Sequence, residues 1–243
     1  MKYLFFICHL VALYGLTVSL IREYIYIPQR MIWTTAQNYC REHYGDFATI
    51  TTEEENKKVI QLVGSNVWTW IGLNRTAPHV DIWQWSDGEK TNFTHWRSNE
   101  PNDLSLDGES CVINSPYGWY DVSCQVGNSF ICSRRFMLVK EKKTWEEALQ
   151  YCRTYYSNLA IVDSQTVLDL LKTETEEAQT ASVWTGLRFL DGQWFWVNGT
   201  TLGSLVSLPT CPIQSYSCGA YNFNTYVWEN RDCSEELNFI CYY

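Results

Sequence analysis

The chain carries one sequence pattern twice. Trp33-Thr-Thr-Ala-Gln-Asn-Tyr-Cys40-Arg returns as Trp145-Glu-Glu-Ala-Leu-Gln-Tyr-Cys152-Arg, and Trp70-Ile-Gly-Leu73 returns as Trp184-Thr-Gly-Leu187. Trp83-Gln-Trp85 returns as Trp194-Phe-Trp196, Trp119 and Cys124 as Trp228 and Cys233, and Phe130-Ile-Cys132 as Phe239-Ile-Cys241. The landmarks keep their order and recur 109–114 residues apart. A period of about a hundred residues is the size of a small domain, so the repeat is a duplicated domain and not a solenoid unit. The boundary falls beside Arg134 and Arg135 with almost no linker, giving copies at 20–133 and 134–243.

Local patterning predicts the same elements in each copy. A short aromatic strand opens each one, at 23–27 and 136–139. A helix follows. Ala36, Cys40 and Tyr44 share one of its faces, as do Ala148 and Cys152 in the second copy, so each cysteine faces the core. Thr144 and Glu147 have the spacing of a capping box. A second helix fits 53–63, with Val59, Ile60 and Val63 as its apolar stripe. Short Trp-rich strands then alternate with long Gly, Asn, Asp and Pro stretches. Trp68, Trp70, Trp83 and Trp85 are expected in the core, because Trp184, Trp194 and Trp196 repeat the pattern.

The N-terminus reads as a targeting segment. Lys2 precedes an almost wholly apolar run from Tyr3 to Val18, and Thr17 and Ser19 are small enough for a cleavage site. Residues 1–19 are read as a secretory signal peptide. An uncleaved signal anchor is the alternative, although the run is short for a spanning helix. No later stretch is apolar enough to enter a membrane, so the mature chain is expected to be secreted and extracellular. In that compartment the nine cysteines after Cys8 are mostly disulfides. Nine is odd, which leaves one free, intermolecular or in exchange. The sequons at Asn74, Asn92 and Asn198 are glycan acceptors if exposed.

Charge and residue types exclude other classes. A net charge of -9 argues against nucleic acid and against an anionic membrane surface, both of which need clustered Lys and Arg. His43, His79 and His95 are scattered without metal-ligand spacing, no phosphate-binding Gly loop is present, and the cysteines are committed. The chain is read as a binding protein and not an enzyme.

The helix cysteine, the Trp-Ile-Gly-Leu block, the run from Trp83 to Gly88 and the closing cysteines together resemble the C-type lectin-like domain. The likeness is to the mannose-type domains of macrophage mannose receptor-like proteins, and it covers nearly the whole chain after the leader, twice. The resemblance implies an α+β fold, with two helices flanking small antiparallel sheets and a long loop that carries the ligand site. It implies the disulfides Cys40–Cys132, Cys111–Cys124, Cys152–Cys241 and Cys218–Cys233. Cys211 is then the odd one, available to link copies into an oligomer, and a Cys211–Cys218 pairing stays open at this point.

The resemblance also implies a calcium (Ca2+) and sugar site in the first copy. The family's ligand pattern falls on Glu100-Pro101-Asn102, on Glu109 two before Cys111, and on Asp121 after Trp119. Such a set suits a hard cation that takes about six to eight oxygens. The same groups bond two sugar hydroxyls in turn, and the Glu-Pro-Asn order is associated with mannose, fucose and N-acetylglucosamine. A cis bond is expected before Pro101. The departure is Tyr120, where binders carry Asn. A phenol is a poor Ca2+ ligand; water, Asp103 or Asp107 could fill the place, and the Tyr120 ring could stack on the sugar. The second copy has no Glu-Pro-Asn triplet, carries Tyr216 two before Cys218, and has Glu229 and Asn230 after Trp228, with Pro209 and Pro212 stiffening its loop. It is expected to serve as scaffold, protein contact or oligomerisation surface. Two functions follow: Ca2+-dependent recognition of mannose-type glycans in innate immunity, or calcium-independent protein binding on a decayed sugar site.

Overall fold

The computed structural model describes residues 22–64, 66–104 and 108–243. The signal segment at 1–19, with Cys8, and Asp107 lie outside the described residues. The first lobe runs β1 (Arg22–Met31), α1 (Trp33–His43), β2 (Asp46–Phe47), α2 (Glu53–Val63), β3 (Thr69–Arg75), β4 (Trp83–Trp85), β5 (Cys111–Ser115) and β6 (Gly118–Val122). β7 (Asn128–Lys143) leads into α3 (Trp145–Tyr155), β8 (Asn158–Leu159), α4 (Gln165–Glu174), β9 (Ser182–Leu190), β10 (Gln193–Trp196), β11 (Cys218–Asn222), β12 (Val227–Arg231) and β13 (Leu237–Tyr242). Each lobe thus has two helices and short strands, the α+β architecture expected.

The lobes share one topology. β3 lies parallel to β7 at Thr69–Ser129 and Trp70–Phe130, and β9 lies parallel to β13 at Val183–Asn238 and Trp184–Phe239. A hairpin hangs off each of these strands, β5–β6 in the first lobe and β11–β12 in the second.

The repeated residues recur because each meets the same local demand. The indole N–H of Trp33 donates to the Ile71 carbonyl at 3.0 Å, and that of Trp145 to the Thr185 carbonyl at 2.8 Å. Trp70 and Trp184 donate likewise to the Met31 and Lys143 carbonyls, both at 2.9 Å. A buried indole N–H without a partner is costly, so the ring is fixed with its acceptor. Gly72 and Gly186 sit where a Cβ would meet Ser86 Oγ or Val197 Cγ2 at 2.7 Å, so any larger residue would force its neighbours to shift.

All four implied disulfides form: Cys40–Cys132, Cys111–Cys124, Cys152–Cys241 and Cys218–Cys233. Cys218 is thereby taken, and Cys211 is free and exposed. The two long bridges, with separations of 92 and 89 residues, tie each first helix to the closing strand of its lobe. Restricting loops of that length in the unfolded chain contributes about 4 kcal/mol each in the chain-entropy account.

At the boundary the structure differs from the sequence reading, which expects a separate opening strand at 136–139. β7 runs through the joint without a break. Its first half pairs antiparallel with β1, from Ile27–Phe130 to Arg22–Arg135, and its second half with β13, from Tyr242–Phe136 to Leu237–Lys143. The closing strand of one copy and the opening strand of the next are consecutive, with no Gly or Pro from Phe130 to Val139 to bend the chain. The two arginines at the joint are buried and paired across it. Arg134 Nε donates to Glu23 at 2.7 Å and its Nη2 to Asp163 at 2.7 Å, while Ser164 Oγ donates to Glu23 at 3.0 Å. Arg135 pairs with Asp87 and, at 3.2 Å, with Glu89. No described helix is long and apolar enough to cross a membrane.

Candidate functional site

The connection from β4 to β5 supplies Glu100, Asn102 and Glu109, and β6 supplies Tyr120 and Asp121. Two backbone bonds dock this loop on β6: Trp119 N–H donates to the His95 carbonyl at 2.7 Å and Arg97 N–H to the Trp119 carbonyl at 3.1 Å. The Glu100–Pro101 bond is cis, as expected. Asn102 Nδ2 donates to Glu100 Oε2 at 2.8 Å, and Leu104 N–H donates to Glu109 Oε2 at 2.9 Å. Asp121 Oδ1 accepts the Asn102 N–H at 2.9 Å and Oδ2 accepts the Asp103 N–H at 3.0 Å. The four residues singled out from sequence therefore form one hydrogen-bonded group. Partial burial, then the hydrogen bond and charge of Asp121 and the charge of Glu109, push the Glu100 carboxyl up to about 7, with Arg97 opposing.

Arg75 sits at the centre of this group. Its guanidinium donates through Nη2 to Asp121 Oδ2 at 2.9 Å, through Nε to the Glu109 carbonyl at 2.8 Å, and through Nη1 to the Val80 carbonyl at 3.1 Å. The group lies 4.5 Å from the Trp83 ring centroid, a cation–π distance. The side chains of Arg75 and Asp121 are 4% and 0% exposed. The pair is desolvated and both Asp121 oxygens accept hydrogen bonds, which is the condition for a buried ion pair to hold.

Tyr120 is not free for a ligand. Its hydroxyl accepts from Arg97 Nη1 at 2.6 Å, and its ring stacks on Trp68 with centroids 4.8 Å apart. It therefore presents no face for a sugar to stack on. Trp68 departs from the core role expected of it, being 42% exposed. It precedes β3, and its position in the second copy is Ser182, so the repetition that marked the other tryptophans as core never applied to it. Asp103 does not fill the vacancy left at Tyr120. Its Oδ1 accepts the Glu109 N–H and its Oδ2 pairs with His79 Nδ1, both at 2.8 Å, and these contacts hold its carboxyl below the usual range.

Whether these residues suit Ca2+ turns on their oxygens. A calcium ligand must turn a lone pair to a common point. Asp121 instead receives two backbone N–H groups and a guanidinium, and Asn102 turns its amide N–H to Glu100. Among the described residues no three Asp, Glu, His or Cys side chains converge as a metal site requires. The charge of the group suits a dication, but its arrangement does not. The residues do not fit calcium as they stand, and no step is routed through it.

Sequence reasoning missed Arg75, Arg97 and Trp68. Arg75 was legible in one comparison: it directly follows the repeated Trp-Ile-Gly-Leu block and Asn74, and aligns with Phe189. In the second lobe Phe189 packs edge-on against Trp194 at 5.4 Å, where the first lobe has Arg75 over Trp83. Glu229, in the place of Tyr120, accepts from Ser182, Asn222 and Arg231, and Asn230 stands where Asp121 does. Of the sequons, Asn92 and Asn198 are exposed, whereas Asn74 is half-buried on β3.

Two lobes, each with paired helices, a closing disulfide and a long loop between Trp-rich strands, define a duplicated disulfide-closed domain. The Lectin C-type domain family matches residues 29–134 and again 141–243, and the chain belongs to that family. The human secretory phospholipase A2 receptor is 25% identical over 86% of this chain and 17% of its own length. Human lymphocyte antigen 75 is 22% identical over 86% of this chain and 14% of its own length. The chain thus spans about a sixth of the receptors it matches. Human C-type lectin domain family 17, member A is 31% identical over 46% of the chain and 29% of its own length. Among solved structures, human lithostathine aligns at 25% identity over 46% of this chain and 90% of its own, with a TM-score of 0.42. The cow CD23 carbohydrate-recognition domain aligns at 24% over 48% and 92%, with a TM-score of 0.44.

Proposed function

We propose that the chain is a secreted, non-enzymatic recognition protein that binds a protein ligand through the long-loop face of its first lobe, without calcium. The observation that carries this is Tyr120, which occupies the place of an amide ligand and gives its hydroxyl to Arg97 and its ring to Trp68. Trp68 and Arg97, both exposed, form an aromatic–guanidinium ledge beside the loop that the buried Tyr120 holds in place, and Trp and Arg are among the residue types that dominate protein-binding hot spots. The second lobe supports the first, Asn92 and Asn198 carry glycans, and the exposed Cys211 is available to join copies, which would raise avidity.

The competing reading is Ca2+-dependent recognition of mannose-type sugars through Glu100, Asn102, Glu109 and Asp121. Its support is the crowding of carboxylates that raises Glu100. One experiment separates the two. The protein is passed over mannan in calcium and then in chelator, and in parallel is offered, in chelator, to cells pretreated with protease or with glycosidase. Binding is expected to survive chelator and glycosidase, to be lost after protease, and to weaken about tenfold or more in Trp68→Ala, the loss of about one hot-spot residue. Retention on mannan that chelator reverses would overturn the proposal in favour of the calcium-dependent lectin.

A further inference from the structure

We infer that Arg75 is the built-in cation of the first long loop: its guanidinium takes the electrostatic place of a metal ion, so the loop holds its shape whether or not calcium is present. The inference deepens the calcium-independent reading above and rests on it.

Four observations carry it. First, the guanidinium joins three separate segments around the loop. It reaches Val80 before the loop, Glu109 at its end and Asp121 on β6, at 3.1, 2.8 and 2.9 Å. Second, the pair is sealed, with Arg75 and Asp121 side chains 4% and 0% exposed, so solvent ions do not screen it. Third, Asp121 binds the loop backbone at the same time, through the N–H groups of Asn102 and Asp103, so the charge pair and the loop shape are one unit. Fourth, the internal repeat acts as a control. Where the second lobe has Asn230 in place of Asp121, it has Phe189 in place of Arg75, and the ring beneath, Trp194 for Trp83, stays the same. Charge and countercharge are present together in one lobe and absent together in the other.

The physical logic is that of a fixed against an exchangeable ion. A bound metal adds stability that grows with its free concentration and vanishes in chelator. A guanidinium attached to β3 has no such dependence, and its planar fork supplies several directed donors where a metal supplies a charge. Removing it leaves a buried carboxylate without its countercharge, a strongly destabilising state that a cation would relieve.

The test measures thermal unfolding and calcium calorimetry on the full chain. Wild type is expected to melt at the same temperature in millimolar calcium and in chelator, with no calcium heat. Tyr120→Asn restores the missing amide but is expected to stay indifferent to calcium, because Arg75 still holds Asp121. Arg75→Met keeps an apolar stem on Trp83 and frees the carboxylate; it is expected to melt lower in chelator and to recover part of the loss in calcium. The double variant Arg75→Met with Tyr120→Asn is expected to bind calcium at least tenfold more tightly than either single change. A calcium-dependent rise in the wild-type melting temperature overturns the inference, as does calcium binding by Tyr120→Asn alone. If Arg75→Met does not fold, the wild-type and Tyr120→Asn arms still decide. If these hold while mannan binding appears without calcium, the protein-ligand reading falls and this inference stands.

Discussion

Glu100 is the residue whose chemistry is most exposed to its surroundings. Its carboxyl is raised from an ordinary 4.5 to about 7 by burial and by the Asp121 and Glu109 carboxylates. The folded value lies above the unfolded one, so protonation favours the folded loop. That contribution is fully present below pH 4.5 and is lost as pH rises through about 7. A carboxyl-carbon NMR titration is expected to give Glu100 a midpoint near 7, and Asp121→Asn is expected to move it down toward its ordinary value. A wild-type midpoint already at the ordinary value would show that the carboxylates do not crowd. At this scale the sequence was partly legible. Glu100, Asn102, Glu109 and Asp121 could be named because the family that the chain resembles carries its ligand pattern on short spacings beside a cysteine and a tryptophan. Arg75 acts across 46 residues to Asp121, and nothing local to Arg75 announces a partner at that distance.

At the scale of single elements, the two copies of one helix are built with unequal ends. α3 starts in a full capping box, with Thr144 accepting from Glu147 N–H and Glu147 reaching back to the Thr144 N–H. α1 starts at Ile32, which offers no side-chain acceptor, and no acid stands in its first turn. Trp33 N–H finds the Cys124 carbonyl at 3.1 Å, as Trp145 N–H finds that of Cys233, but the first turn of α1 has neither a side-chain cap nor a favourable charge. Thr144→Ala is expected to cost about 1 kcal/mol in denaturant unfolding, and Ile32→Thr to add up to about 1 kcal/mol. No loss in Thr144→Ala would mean that tertiary packing alone holds α3. Helices were the legible elements: 53–63 came out as α2 with the same bounds, since a 3.6-residue stripe and a cap are both local signals. The strand at the joint was not, because two consecutive extended segments give no sign of where one ends.

At the scale of the whole molecule, the lobes are coupled by more than their shared strand. Arg134 sits 5% exposed with Glu23 of the first lobe on one side and Asp163 of the second on the other. Burial acts to raise the Glu23 carboxyl, and Arg134 acts to lower it. Removing the arginine strands Glu23 in a dry joint, while Asp163, with its side chain 49% exposed, keeps its contact with water. Arg134→Ala is expected to cost about 3–5 kcal/mol, the loss seen when one partner leaves a buried pair, and to split calorimetric unfolding into two transitions. A single transition with an unchanged midpoint would show that the joint contributes nothing.

The unbroken β7 strand has one more consequence. Arg134-Arg135 is a dibasic pair between two domains, a sequence that trypsin-like processing enzymes cut when it lies in an open linker. Here both residues are buried in a strand paired to β1 on one half and to β13 on the other, and a protease cleft needs several residues of free, extended chain. The joint between the two copies is therefore closed to scission while the protein is folded.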